Sequence, residues 1–190
     1  MPLPNSETLK PTLWRTCRVL ASKTRLKVLG ELFARPDQCV SDIAQRLGLS
    51  LSLTSQSLRA LNARGLLLAR RSGPSVYYRP GANRSVPYSD YLLETLRKTF
   101  AHANNPGRDI FRYATAFTHL RRILIVKTMP KRPRQLEEMA FETNISVRAL
   151  KRHLRKLVAR GFLKYADCKY VYSVPHHKFA RVLLFLIRQA

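Results

Sequence analysis

Acidic side chains are scarce in this chain. Eleven Asp and Glu stand against 35 Lys and Arg in 190 residues, a formal charge of +24. Solubility needs far less, so the imbalance points to a polyanionic partner. Cysteine is scarce as well: Cys17, Cys39 and Cys168 are odd in number and far apart, which disfavours a disulfide framework and favours a reducing cytoplasm. No apolar run is long. The longest, Val182 to Ile187, is too short to span a bilayer, and MPLPNSETLK lacks the apolar centre of a signal peptide, so no membrane role is expected. Phosphate loops, nucleophile elbows, paired metal ligands and clustered carboxylates are also missing from the sequence, so neither an enzyme nor a cofactor is expected.

The positive charge is present throughout. Residues 1–106 carry 16 basic and 6 acidic residues, and residues 107–190 carry 19 and 5, so a single basic tail does not account for it. The most conspicuous stretch is Ser146 to Phe162, SVRALKRHLRKLVARGF. On a helix Val147, Leu150, Leu154, Leu157 and Val158 form one apolar stripe, while Arg148, Lys151, Arg152 and Arg155 share an adjoining face. Ser146 suits the N-cap, and Gly161 suits a left-handed C-terminal cap. An echo lies 96 positions earlier: Leu58, Leu61, Ala63, Arg64 and Gly65 answer Leu154, Leu157, Ala159, Arg160 and Gly161. Two copies of one module are expected, a duplication of domains and not a solenoid.

Taken in order, residues 1–8 read as a lead-in and Leu9 to Leu20 as a first helix. Thr24 to Phe33 reads as a second helix, and Val40 to Leu47, closed by Gly48, as a third. Gly48, Leu49 and Ser50 make a tight connection to the next helix, as in a helix-turn-helix. Leu66 to Arg71, the turn Ser72-Gly73-Pro74 and Ser75 to Arg79 predict a hairpin. Leu92, Leu93, Leu96 and Phe100 predict a linker helix from Ser89 to Ala103, and Asn104 to Gly107 reads as a break. The pattern then restarts: Thr118-His119-Leu120 answers Thr24-Arg25-Leu26, and Pro133 opens a helix with Glu137 and Glu138 near its start. After the second recognition-helix candidate come a shorter hairpin about Asp167 and Cys168 and an apolar helix, Phe179 to Ile187. The expected fold is mainly α with small β-hairpins: tandem winged helix-turn-helix modules over 1–86 and 107–190, joined by a linker helix within 87–106.

TRLKVLGELF, QCVSDIAQRLGLS, SLRALNARGLL and SGPSVYYRP together resemble the ArsR-type winged-helix transcriptional regulators, over roughly residues 13–80. The resemblance implies double-stranded DNA as partner, and helices at the N-terminus and after the hairpin that build a homodimer interface. It also marks Cys39 as a sensor candidate, with Cys17 beside it. Many metal sensors of the family carry Cys-x-Cys there, whereas this chain has Cys39-Val40-Ser41, so no metal site is expected and both thiols read as small buried hydrophobes. In the hairpin Pro74 follows Gly73 where the family often has Arg. His176-His177 with Cys168 lack metal-ligand spacing and a fourth ligand.

The major groove of B-DNA admits one helix. From the first module Ser52, Leu53, Ser55, Gln56 and Arg59 are expected to face it, because Gln pairs with adenine's edge, Ser with either base class, and Leu with a thymine methyl. From the second module Arg148, Lys151, Arg152 and Arg155 are expected to grip phosphates, with some preference for guanine. Arg70, Arg71, Arg79, Lys164 and Lys169 on the hairpins would follow the backbone. The expected function is a sequence-specific transcriptional regulator. An architectural, replication-initiation or chromosome-segregation protein would use the same charges with less base readout.

Overall fold

The computed structural model describes residues 12–129 and 132–189, so the expected lead-in and the first residues of the predicted first helix lie outside it. Helix α1 (Leu13–Leu20) buries Cys17 and Leu20, and α2 (Lys23–Ala34) buries Leu26, Val28, Leu29 and Leu32. A two-residue strand, β1 (Gln38–Cys39), then leads straight into α3 (Val40–Leu47) and α4 (Leu51–Asn62). Cys39 caps α3, its N–H donating to Asp42 Oδ2 at 3.2 Å, and the Ser50 hydroxyl caps α4 by accepting from Leu53 N–H at 3.2 Å. Strands β2 (Leu67–Ser72) and β3 (Ser75–Pro80) form the hairpin; of its two turn residues Gly73 takes the positive φ, 58°, that Pro74 cannot, which is a type II′ arrangement. The sheet order is β1-β3-β2, with Gln38 opposite Tyr78. These elements make a winged helix-turn-helix.

Helix α5 (Ser89–His102) follows, one residue shorter than expected. Asn104 to Gly107 is only partly a break: Asn105 caps α6 (Pro106–Ala114), and Pro106 opens it from the first helical position, where its missing N–H costs nothing. A 3₁₀ turn over 115–117 precedes α7 (Leu120–Thr128). Then come α8 (Leu136–Thr143), α9 (Val147–Ala159), β4 (Leu163–Ala166), β5 (Lys169–Tyr172) and α10 (Lys178–Gln189).

Local hydrogen bonds in the two halves coincide at a spacing of 96. Gln135 N–H donates to Glu138 Oε2 at 3.2 Å, as Cys39 does to Asp42. Leu49 N–H donates to Ala44 O and Ile145 N–H to Ala140 O, across the left-handed residues Gly48 and Asn144. Leu66 N–H reaches Leu61 O and Phe162 N–H reaches Leu157 O, each across a glycine at positive φ, Gly65 at 69° and Gly161 at 81°. Arg134, 96 positions after Gln38, pairs with Tyr170 as an isolated antiparallel bridge, as Gln38 pairs with Tyr78, but across a shorter hairpin the tyrosines do not keep that spacing.

Three details of the second half correct the sequence reading. Pro133 precedes the bridge and does not open α8, because Gln135 caps that helix. Leu120 is 60% exposed while Leu26 is buried, so Thr118-His119-Leu120 does not answer Thr24-Arg25-Leu26; the burial pattern of Leu26, Val28 and Leu29 recurs at Ile123, Ile125 and Val126, a spacing of 97. Val147, placed on the apolar stripe, is 40% exposed, whereas Ser146 does stand at the N-cap of α9, without a side-chain bond.

Both halves share one continuous core. Across it α1 packs on α6 and the 115–117 turn, α2 on α6, and α5 on α10, where the Tyr91 and Phe185 rings meet edge-on at 5.5 Å. No helix among the described residues is long and apolar enough to cross a membrane.

Candidate nucleic-acid interface

Helix α4 is anchored from below. Thr54, Ser57, Leu58 and Leu61 are buried, and the two hydroxyls donate within the helix, to Ser50 O at 2.9 Å and to Leu53 O at 2.7 Å. That anchoring turns Ser52, Leu53, Gln56 and Arg59 to the surface and leaves Ser55 half-buried at the margin. Gln56 Nε2 lies 3.4 Å from Ser52 Oγ, so a donor-acceptor pair already stands one helical turn apart. Leu51, 60% exposed, adds an apolar contact at the leading end that its place in the sequence gave no reason to single out.

Helix α9 is built on Leu150, Leu154 and Leu157, each fully buried. Arg148, Lys151, Arg152 and Arg155 are all exposed on the opposite side, and none makes an ion pair among the described residues. Lys156 joins them, so the cations extend beyond the four-residue stripe. Four unpaired cations along one helix give strong attraction to phosphate and a less varied set of hydrogen bonds. Near the leading end stands Phe141, 90% exposed on α8, also unmarked by the sequence pattern.

His153, in the middle of KRHLRK, turns the other way. It is 7% exposed, and its ring lies 4.8 Å from that of His119. Burial, reinforced by His119 and the cations Arg122, Arg121 and Arg152, pushes its pKa down to about 4, so it is neutral at pH 7. The same position in α4 is Ser57.

The hairpin cations divide. Residues directly opposite share a face, so Arg70 (opposite Tyr77) and Arg79 (opposite Leu68) lie on one side of the first hairpin and Arg71 (opposite Val76) on the other. Arg70 is also held in place, pairing with Asp37 at 3.1 Å and covering the Tyr77 ring at 5.3 Å. In the second hairpin Lys164 and Lys169 share a face, opposite the one carrying buried Leu163 and the paired rings of Tyr165 and Tyr170. Asp167 and Cys168 both have positive φ, the two-residue turn that matches strand twist.

Cys17 and Cys39 are buried, whereas Cys168 is exposed. Cys17 is fully buried and its pKa is pushed up to about 12 by that burial, so it stays a protonated, unreactive thiol. Cys39 Sγ lies 2.9 Å from Ser41 Oγ within the α3 cap. Among the described residues no three His, Cys, Asp or Glu side chains gather as a metal site. His177 instead sits 3.7 Å from Asp109 and beside the Tyr113 ring.

A helix-turn-helix with an exposed polar recognition helix and an antiparallel wing belongs to the DNA-binding winged helices. Within that class residues 22–67 match the bacterial regulatory protein, arsR family, and are an ArsR-family helix-turn-helix domain. Three curated relatives match over comparable lengths. An HTH-type transcriptional regulator of Mycobacterium tuberculosis is 40% identical over 65 residues, 34% of this chain and 28% of its own. A transcriptional repressor SmtB homolog of Synechocystis is 41% identical over 80 residues, 40% of this chain and 60% of its own. The cadmium resistance transcriptional regulatory protein CadC of Listeria innocua is 33% identical over 61 residues, 32% of this chain and 51% of its own. The chain thus spans 28% to 60% of the length of these relatives. No solved structure gives a significant match.

Proposed function

We propose that this chain is a sequence-specific transcriptional regulator of double-stranded DNA that carries two recognition helices, α4 and α9, on two winged-helix halves joined as an internal pseudo-dimer. The observation that carries this reading is the recurrence, 96 residues apart, of the capping bonds, the left-handed turn and the helix-end bonds around the matched helix-turn-helix. Supporting it, counterparts meet counterparts: α1 packs on α6, and α5 packs on α10. An element meeting its own equivalent is the pattern of a two-fold interface.

In this reading α4 supplies discrimination. Gln56 presents an amide able to bond adenine bidentately, Ser52 and Ser55 present hydroxyls, and Leu53 presents a methyl surface. Helix α9 supplies affinity through Arg148, Lys151, Arg152 and Arg155, and Lys164, Lys169, Arg71 and Arg79 extend the phosphate contacts. Arg70, committed to Asp37, contributes least. A single chain would cover two half-sites and an associated pair of chains four.

Selection of bound duplexes from a random pool, followed by footprinting of the winners, tests the reading. The expected result is a motif of two unlike half-sites protected by one chain. Enrichment of no motif, with binding that depends steeply on salt, would replace it with an architectural role.

A further inference from the structure

A cavity of about 630 Å³ lies where the halves meet, between α1, the end of α4, the 85–89 segment and the end of α10. That volume is within the range of small-molecule sites. Leu13, Val86, Pro87, Leu92 and Leu186 make its wall largely apolar. Among the polar groups in that wall, Thr12 Oγ1 and Arg64 Nη1 are buried with no hydrogen-bond partner among the described residues. A buried guanidinium nitrogen with no acceptor is costly and rare.

The second half shows what such an arginine does when a partner is at hand. Arg160 occupies the position equivalent to Arg64, and its Nε donates to Thr115 Oγ1 at 2.9 Å. Carrying the spacing of 97 between α2 and α7 back along the chain, the first-half counterpart of Thr115 is Arg18, a cation with nothing to accept. Arg18 and Arg25 line a second cavity with Arg64 on its other side, and among the described residues no carboxylate lines either cavity that Arg64 borders. Among the described residues Arg64 Nη1 therefore stands without an acceptor beside apolar walls.

We propose that this cavity binds a small amphipathic carboxylate, with its head on Arg64 and the Thr12 hydroxyl and its aliphatic or aromatic body against Leu13, Leu92 and Leu186. The carboxylate supplies the acceptor that Arg64 lacks, and the body fills the apolar space. Arg64 and Gly65 end the α4 segment, and Leu186 belongs to α10, so one ligand touches both halves. An effect of that ligand on DNA affinity rests on the regulator reading above; binding itself does not.

Titration calorimetry of the full chain without DNA, using octanoate and its neutral counterpart 1-octanol as probes, tests the site. The expected result is one octanoate per chain with 1-octanol at least roughly tenfold weaker, the value of a charge-assisted hydrogen bond. Arg64→Gln should bring octanoate down to the level of octanol and leave octanol unchanged. Equal affinities in the unaltered chain, or octanoate binding untouched by Arg64→Gln, would overturn the proposal. The first comparison decides even if the variant fails to fold. DNA binding is measured separately: a chain that takes octanoate but no DNA overturns the regulator reading and leaves this site standing, whereas one that takes DNA but no octanoate does the reverse.

Discussion

Helices α4 and α9 share a backbone plan and differ in almost every surface side chain. Each follows a left-handed residue, rests on three or four inward side chains, and ends with a backbone bond across a glycine at positive φ. Outside that plan one displays Ser52, Leu53, Gln56 and Arg59 and the other Arg148, Lys151, Arg152 and Arg155. The comparison separates what the fold requires from what a ligand requires. Leucines at matching positions and the terminal glycines serve the fold, and the outward residues are free to take different chemistry. It also shows where one half carries a titratable group that the other replaces with a hydroxyl.

The contrast breaks most visibly if α9 loses its charge. Changing Arg148, Lys151, Arg152 and Arg155 together to Ala should lower affinity for every duplex by roughly a thousandfold at moderate salt and flatten the slope of log affinity against log salt by about 3.6, as expected for four lost phosphate contacts. A filter-binding series from low to high salt reads both numbers, and an unchanged slope would mean that α9 faces something other than phosphate.

The inward side of the comparison is tested by pH. An unfolded histidine takes up its proton near its ordinary pKa of about 6.5, but His153 in the fold resists until about 4. Between those values the unfolded chain binds the extra proton, so stability falls as pH falls through that window and levels off below it. Loss of roughly 2 kcal/mol from pH 7 to pH 4.5 is expected in urea unfolding. His153→Ser, which copies the α4 arrangement at Ser57, should remove that share of the acid sensitivity; a variant that keeps the full loss would show that other groups cause it.

A smaller effect is expected from Gln56→Ala. It should cost about 1–3 kcal/mol of discrimination at one base pair while non-specific affinity stays nearly constant. A selected motif identical to that of the unaltered chain would remove Gln56 from base readout. Smallest of all, Arg70→Ala should change stability by less than about 0.5 kcal/mol, because an exposed ion pair is worth little, and it should weaken DNA binding less than Arg71→Ala or Arg79→Ala. A larger binding loss for Arg70→Ala than for its neighbours would show that the Asp37 pair opens on DNA.

Local signals carried much of the architecture. Apolar spacing with Ser, Gly and Pro punctuation located α2 to α5, both hairpins and α9 to within a residue or two, since each is defined by neighbours in sequence. The misses have long-range causes. Strand β1 is two residues long and exists because Gln38 and Cys39 meet Tyr78 and Tyr77, about forty residues away. Helix α6 was concealed because Pro106-Gly107 reads as a break unless Asn105 is recognised as a cap. At the candidate interface, exposure of the α4 and α9 residues followed from helical spacing, but the tie between Arg70 and Asp37 depends on how the loop after α2 approaches the hairpin. The burial of His153 against His119 likewise depends on the packing of α7 on α9.

The joining of α5 to α10 within one chain has a consequence for dosage. Two separate subunits part on dilution, and the fraction able to span two half-sites then falls with concentration. In the proposed pseudo-dimer the two surfaces are tethered covalently, at an effective concentration of millimolar or more, so dilution would not unmake the pair. On the proposed reading, occupancy of a two-half-site target by a single chain should then rise with the first power of protein concentration, and a mutation in one recognition helix would alter a single half of the complex.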